Sequence, residues 1–557
     1  MNEVITLNKA NCKDCYKCIR TCPVKAISFA ENQAQIVAAE CIQCGQCYVV
    51  CPQNAKEVRP DVPKVQDAIR AGKRVYASVA PSFIADFEVG GIADMAEGLK
   101  KLGFTNVEET AIGAEIVSKE YDRLMEKGEQ SVIISSCCPA INNLIQKYHP
   151  TVLPYLAPVL SPMQAHCKLI REKDPEAYIV FIGPCIAKKG EADESSYIDA
   201  ALTFDELRVW MAEEKVTLTR SNIEENGQRV RLYPTIGGLE RTIHPTNGYR
   251  TMAVDGVEDC RSIFRELESG STKLKKIFIE MSACEGSCIN GPAIADHMQT
   301  RMASHLALED FAGDEEFGTE MPKGGIGTTY KTKGIRRILP GGEAIQAVLN
   351  RMGKTTPDKE FNCGSCGYAT CREKAIAVCQ GKAEIEMCLP FLKEKAESFS
   401  DTIISSTPNA IMVLDEDLVV QQINQAAMRM FKLTSPDDIL HAPIVRLLDP
   451  SDYLNAVLSG RGSVNKRRYI AEYKMFVEET IIYNKQYKVL ISIMRDVTAQ
   501  ERARAVDQDL RKQTIEITDN VINKHMRVVQ EIASLLGETT AETKIALTKL
   551  KDAIDHE

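Results

Sequence analysis

The chain has 557 residues, 44% of them hydrophobic, and a formal net charge of −9. That length holds several domains and more than one core, and the acidic balance argues against a nucleic-acid surface. The opening stretch MNEVITLNKANC has no apolar signal-peptide region, and no apolar run approaches the ~18 residues of a membrane span. A cytoplasmic protein is expected. Its 20 cysteines stand out, because a reducing compartment turns clustered thiols to metal or catalysis rather than to disulfides.

Two cysteine runs repeat near the start: Cys12, Cys15, Cys18 and Cys22-Pro23, then Cys41, Cys44, Cys47 and Cys51-Pro52. Three thiolates at this spacing wrap one cubane, and the fourth, followed by proline, reaches the other. Cys12, Cys15, Cys18 and Cys51 are expected to hold one [4Fe–4S] cluster. Cys41, Cys44, Cys47 and Cys22 are expected to hold a second. Zinc, the alternative, prefers two pairs of ligands. Residues 1–60 resemble a bacterial two-cluster ferredoxin domain, which carries electrons that another part of the chain must supply or consume.

From Arg74 the texture changes. The runs 74–82, 131–139, 177–185 and 275–284 are continuously apolar, the mark of strands buried on both faces of a parallel sheet. Helices are predicted over 114–127 and 163–173. Sites in open α/β sheets form beyond the carboxyl ends of strands, so Cys137 and Cys138, Cys185, and Cys284 with Cys288 should converge.

The stretches SSCCPA (135–140), GPCIAKKGE (183–191) and EMSACEGSC (280–288), with APS (80–82), LSPMQ (160–164) and GGLE (237–240), resemble in order the motifs of [FeFe]-hydrogenases. The resemblance covers about residues 1–300. It implies a two-lobed α/β domain and an H-cluster, a [4Fe–4S] cubane joined through one cysteine sulfur to a diiron unit carrying CO, cyanide and an azadithiolate bridge. Cys138, Cys185, Cys284 and Cys288 would be the cubane ligands, with Cys288 the bridge. Cys137 would pass protons to the bridging amine, a role that suits a thiol whose free pKa is ~8.5. Lys188 would donate hydrogen bonds to a cyanide. Ser82 and Gln164 would wall the same pocket, and Glu191 would orient its neighbours.

The departures from the family pattern bear on the role. Two methionines that normally pack on the diiron unit are replaced by Gly183, expected to open space, and by Ser282, expected to add a hydroxyl. The family's outward proton path runs through a glutamate, a serine and another glutamate. Here Tyr121 and Leu124 take the glutamate positions and Ala157 the serine position. Tyrosine, with a pKa of ~10, is a poor relay at neutral pH. Glu240, Glu280 or Glu285 would have to substitute, and the family's glycine run shrinks to NGP (290–292). Slow turnover of H2 is expected.

A further series, Cys363, Cys366, Cys371 and Cys388, resembles a small four-cysteine iron–sulfur domain, with zinc as the alternative. Cys379 lies on an expected helix, 372–382. Residues 398–498 resemble a PAS domain. PNAIMVLDEDLVVQQIN reads as two strands around an acidic turn, QAAMRMF as a short helix, and KMFVEETIIYNKQYKVLISIMRDVT as paired strands. Asn424 and Asp496-Val497-Thr498 stand in familiar places. Lys466-Arg467-Arg468 is expected on a solvated loop, and His441 on the surface. Beyond Thr498, apolar residues from Val506 to Leu535 recur at helical spacing. Gly537 breaks the run, and Thr539 with Glu542 forms a capping box.

The fold expected is multidomain, α+β and α/β. It comprises a two-[4Fe–4S] ferredoxin-like domain (1–60), an H-cluster domain (70–350), a four-cysteine [4Fe–4S] domain (355–395), a PAS-like domain (398–498) and a helical segment (499–557). The function expected is that of a sensory [FeFe]-hydrogenase with an H-cluster and three further [4Fe–4S] clusters. It would exchange electrons with H2, protons and a redox partner such as ferredoxin, and report through a homodimeric PAS–helix module to a kinase or phosphatase. A metabolic ferredoxin-linked hydrogenase and a non-catalytic iron–sulfur scaffold are the alternatives.

Overall fold

A computed structural model describes residues 3–221, 227–270, 275–295, 300–335, 337, 339–460, 463–536 and 541–555. The chain is mixed α/β and divides into two compact units, Met1–Leu392 and Lys393–Glu557. Among the described residues no helix is long and apolar enough to cross a membrane.

In the first unit, Ile5–Leu7 pairs antiparallel with Lys56–Val58. This closes the N-terminal segment on itself and carries Cys51 back toward the first cysteine triplet. A hairpin, Ile27–Ala30 with Gln33–Ile36, lies between the two runs. Short helices Lys17–Thr21 and Gln46–Val49 overlap the third cysteine of each run.

The four apolar runs belong to two parallel sheets rather than one. Val75–Val79 and Tyr178–Gly183 are neighbours in a sheet ordered Asn106–Glu109, Val75–Val79, Tyr178–Gly183, Ala200–Thr203. Val132–Ile134 and Ile277–Ser282 are neighbours in a second sheet, ordered Arg250–Asp255, Ile277–Ser282, Val132–Ile134. Ile133, Ile134, Ile179, Ile182, Phe278 and Ile279 are fully enclosed, each contributing about 1.5–3 kcal/mol of burial. Asn106–Glu109 and Arg250–Asp255 are edge strands with polar, partly exposed residues, so they carry no continuous apolar signal. The predicted helices are Ala111–Lys127 and Pro162–Lys173, and they pack on each other. The second begins at a Ser161–Gln164 capping box with proline at its first position.

The four-cysteine segment carries the helix Cys371–Cys379 and folds back onto the N-terminal segment. Phe29 N donates to Lys382 O at 2.7 Å. Arg20 donates to Ser365 O at 3.1 Å, and Lys25 Nζ to Gly367 O at 3.1 Å. The buried Glu40 carboxylate pairs with both Arg337 and Lys382 at 2.5 Å. The helix Leu389–Ser406 starts at the residue after Cys388.

The second unit is built on a five-stranded antiparallel sheet ordered Val420–Ile423, Ala410–Asp415, Val489–Asp496, Met475–Asn484, Ser463–Ile470. Asn424 ties it together. Its Oδ1 accepts from Ala427 N and Ile411 N, and its Nδ2 donates to Ile404 O and Asn409 O. Asp496 accepts from Thr498 N at 2.8 Å, where the 39-residue helix Thr498–Leu536 begins. Lys466, Arg467 and Arg468 lie on a strand, not on a loop. They face the carboxylates of Asp452, Glu478 and Glu479, which explains three cations in a row without a phosphate. His441 is exposed, as expected. Val506, Leu510, Ile517, Val521, Val528 and Ile532 form an exposed stripe. The helix Ala541–Asp555 packs against Thr498–Leu536. Gly537 and Thr539 lie outside the described residues.

Candidate metal centres

The cysteines of the N-terminal runs are sorted into crossed quartets. Cys12, Cys15, Cys18 and Cys51 line one cavity, and Cys22, Cys41, Cys44 and Cys47 line another. In each, three thiols from one run meet the proline-flanked thiol of the other, the arrangement a pair of cubanes requires. Burial pushes the Cys18 thiol up and the Cys41 thiol to about 11. Loading these sites must therefore expel protons. Cys363, Cys366, Cys371 and Cys388 line a third cavity together with Lys354 and Lys374.

A fourth set of thiols comes from distant pieces of chain. Cys137 and Cys138 follow the strand Val132–Ile134, Cys185 follows Tyr178–Gly183, and Cys284 follows Ile277–Ser282. Burial raises Cys185 to about 11 and also raises Cys284 and Cys288. The next contributions come from Cys138, Cys185 and Cys288 acting on one another. Backbone N–H groups of Ala187 and Lys188 aim at the Cys185 sulfur, and those of Ala140, Ile141 and Ala283 at Cys138. Helix N-termini thus favour the thiolate that a metal needs.

Cys137 packs in a different apolar cluster from Cys138 and Cys185. Its sulfur lies 3.3 Å from the Tyr121 hydroxyl. Burial pushes its thiol up to about 12, against the pull of the Tyr121 hydrogen bond and of Lys188. The near-neutral thiol expected from the free value is thus corrected: low-dielectric surroundings disfavour the thiolate and keep the proton on sulfur. Lys188 Nζ donates to Glu191 Oε2 at 2.6 Å, to Ser161 Oγ at 3.1 Å and to the Cys137 carbonyl at 3.3 Å. Burial works against this ammonium, but Glu191, Cys185 and Cys137 outweigh it and its pKa is raised. A permanent cation therefore sits beside the thiol cluster.

The remaining expected residues are placed as follows. Ser82 is fully buried in the turn Pro81–Ala85, which packs on the Cys288–Asn290 turn, and its Oγ has no hydrogen-bond partner. An orphaned buried hydroxyl at this point fits a bound group with polar atoms. Gln164 is half-buried, and its Oε1 is taken by Ser161 N at 3.3 Å. Ser282 Oγ donates to Cys284 O at 3.4 Å. Gly183 does not open space: a Cβ there would lie 2.6 Å from the Phe181 ring and 3.0 Å from Ala80 Cβ. The room is filled from the neighbouring strand position.

Glu280 is 6% exposed on its strand, and burial lifts its pKa to about 7. Its charge is felt at Cys137. Its Oε2 accepts from Glu240 N at 3.2 Å, and half-buried Glu240 accepts from Thr251 Oγ1. Glu285 is exposed beside Arg301, away from this pair. Tyr121 is fully buried, with its ring against Phe278.

The ferredoxin-like segment touches this site. Gly45, next to Cys44, has φ +78°, and a Cβ there would lie 2.7 Å from Pro292 and 3.0 Å from Ile186. The Cys284 thiol feels the charge of Cys44. Pro292 comes from the shortened NGP motif, and Ile186 follows Cys185.

Sequence reasoning missed Ser161 as a partner of Lys188, the buried Ser118–Tyr233–Thr242 hydroxyl chain, and the lysines at the third cavity. The capping pattern Ser161-Pro-x-Gln164 was the one available signal. The other residues are brought together only by the fold.

Comparison with known proteins gives the following. Residues 73–244 and 235–292 match the family "Iron only hydrogenase large subunit, C-terminal domain". Residues 4–52 match a 4Fe-4S dicluster domain, 360–390 an Fe-S cluster family, and 398–497 the PAS fold. Iron hydrogenase 1 of Clostridium pasteurianum is 24% identical over 372 residues, 52% of this chain and 64% of that protein. The periplasmic [Fe] hydrogenase large subunit of Nitratidesulfovibrio vulgaris is 31% identical over 237 residues, 36% of this chain and 56% of that one. Cytosolic Fe-S cluster assembly factor NAR1 of Yarrowia lipolytica is 27% identical over 187 residues, 29% of this chain and 38% of that protein. The chain thus spans between 38% and 64% of the length of these three relatives. A solved structure of [FeFe]-hydrogenase HydA1 from Chlamydomonas reinhardtii aligns at 17% identity and TM-score 0.40, over 50% of this chain and 100% of that one.

Proposed function

We propose that this chain, which carries an iron-only hydrogenase large-subunit domain between a 4Fe-4S dicluster domain and an Fe-S segment with a PAS fold, is a slow, sensory [FeFe]-hydrogenase. The observation that supports the reading is a fifth thiol, Cys137, whose pKa burial raises, and a buried ammonium, Lys188, that donates to the Cys137 carbonyl, beside four thiols that act on one another. A plain cubane needs neither.

Cys138, Cys185, Cys284 and Cys288 would hold the cubane of an H-cluster, with Cys288 as the bridge to the diiron unit. The cofactor would supply reversible interconversion of H2 with two protons and two electrons. Lys188 would orient an anionic ligand of the diiron unit by charge-assisted hydrogen bonding. The orphaned Ser82 hydroxyl supports a polar group at the same wall. Cys137 would hold the proton nearest the cofactor. Glu280, poised near neutral pH, and Glu240, closer to solvent, would carry it outward in place of the path lost at Tyr121, Ala157 and Leu124.

Three further [4Fe–4S] clusters in the cysteine-lined cavities would carry the electrons. The PAS fold and the helix Thr498–Leu536 would report the redox state, the exposed apolar stripe serving a homodimer or a kinase or phosphatase partner. A metabolic, ferredoxin-linked hydrogenase is the second reading. Likeness to proteins named as Fe-S cluster assembly factors supports a third, a scaffold that never receives the diiron unit.

The test is the infrared spectrum of protein supplied with the diiron cofactor, under argon and then H2. Sharp CO and cyanide bands that shift with H2, together with turnover well below that of a bulk hydrogenase, support the sensory reading. Shifting bands with fast turnover in both directions favour the metabolic one. Absence of the bands in protein with its cubanes present favours the scaffold.

A further inference from the structure

Buried lysines are distributed unevenly over the three local cysteine cavities. The cavity of Cys363, Cys366, Cys371 and Cys388 is lined by Lys354, 3% exposed, and Lys374, 1% exposed. Elsewhere the buried lysines Lys188 and Lys189 each meet a carboxylate, and Lys56 meets a backbone carbonyl. Lys354 instead lies over the Phe361 ring at 4.5 Å, and Lys374 Nζ donates to the Glu384 carbonyl. Among the described residues neither makes an ion pair. Two enclosed cations without a carboxylate partner call for an anion in the space they share.

The other two cavities differ. That of Cys12, Cys15, Cys18 and Cys51 has one buried lysine, Lys56, whose Nζ donates to Ala34 O at 2.8 Å and whose charge reaches both Cys18 and Cys47. That of Cys22, Cys41, Cys44 and Cys47 has no charged residue in its lining.

The four-cysteine site also abuts the ferredoxin-like segment closely. Gly367, next to Cys366, has φ +92°, and a Cβ there would lie 2.9 Å from Ile19 Cγ2 and 3.2 Å from Arg20 N, just beyond Cys18. Tyr368 is 4% exposed in the same core as Cys22 and Cys366, and both thiols act on its hydroxyl after burial.

We propose that Lys354 and Lys374 make the four-cysteine site the most easily reduced of the three, so that electrons entering the ferredoxin-like segment collect there, next to the helix Leu389–Ser406. A cubane held by four thiolates carries a net negative charge. Taking up one electron adds one more negative charge and breaks no bond. Two fixed cations in a low-dielectric lining stabilise that added charge more than one shared cation does. The proposal rests on the iron–sulfur part of the function above and not on hydrogen chemistry.

The test is a redox titration of the full-length, cluster-reconstituted chain with dithionite and mediators, followed by electron paramagnetic resonance, with no diiron cofactor and no H2. Cys366→Ser marks the signal of this site by removing it. That signal is expected at a higher potential than those of the two ferredoxin-like sites. Lys354→Met and Lys374→Met should each lower its midpoint by at least a tenfold change in the reduction equilibrium, about 59 mV for one electron. Lys374→Arg should retain the midpoint, and Lys56→Met should move the signals of the two ferredoxin-like sites instead. A four-cysteine signal that reduces last overturns the proposal. So does a midpoint unmoved by both methionine substitutions in protein with full iron content, or zinc in place of iron.

Discussion

The Tyr121 hydroxyl lies 3.3 Å from the Cys137 sulfur and accepts the Ser136 N–H at 2.9 Å. One phenol therefore holds both the candidate proton thiol and the backbone beside it. Tyr121→Phe should leave that N–H unsatisfied and cost about 1–3 kcal/mol in denaturant unfolding. It should lower H2 turnover less than Glu280→Gln does, because burial holds the phenol proton too firmly for relay. Equal losses in the two variants would return Tyr121 to the proton path.

Glu280 makes stability depend on pH in an unusual direction. Its folded pKa of about 7 lies above the 4.5 of an unperturbed glutamate. The folded state binds the extra proton between those values, so stability falls as pH rises through that window, by about 3 kcal/mol. Unfolding curves at a series of pH values should show this slope, and Glu280→Gln should flatten it. An unchanged slope in the variant would place the titration elsewhere.

Lys188 and Glu191 form a buried pair 2.6 Å apart, with side chains 11% and 10% exposed. Glu191→Ala strands the ammonium and should cost about 3–5 kcal/mol. The double replacement Lys188→Met with Glu191→Met should cost clearly less than the sum of the single changes. Chemical denaturation of all three variants gives the coupling directly.

Gly45→Ala places a methyl group against Pro292 and Ile186 at a left-handed backbone position. Strain and overpacking together should cost roughly 2–5 kcal/mol. Adding Pro292→Ala should recover the packing part and leave the backbone part. Full additivity in that cycle would mean the two residues do not touch in solution.

The cysteine framework was legible because cubane ligation is written in local spacing. Cys12 to Cys22, Cys41 to Cys51 and Cys363 to Cys371 need only short loops. Convergence of Cys138, Cys185, Cys284 and Cys288 followed from strands that end in cysteine, although those strands divide between two sheets. What escaped depends on neighbours remote in sequence. Gly183 looked like a gap because a linear view does not show the Phe181 ring, two residues earlier on the same strand face, filling its place. The Cys137 thiol looked near neutral because a free-peptide value carries no burial. Lys354 and Lys374 look like surface lysines until the fold encloses them. The strand at Lys466–Arg468 was hidden by its own charges, whose carboxylate partners lie up to 34 residues away.

The docking of Gly367 and Lys382 onto the N-terminal segment has a consequence in time. Lys25 and Gly367 are 342 residues apart. At a synthesis rate of 5–20 residues per second, that interval lasts roughly 20–70 s. For that long the nascent N-terminal segment waits on the ribosome with its apolar Ile19 and Phe29 side uncovered, and with the two cysteine quartets already translated. Metal can reach those quartets before the segment that later docks beside them has been made. Translation thus leaves an interval in which the N-terminal quartets are exposed to metal before the four-cysteine segment can dock on them.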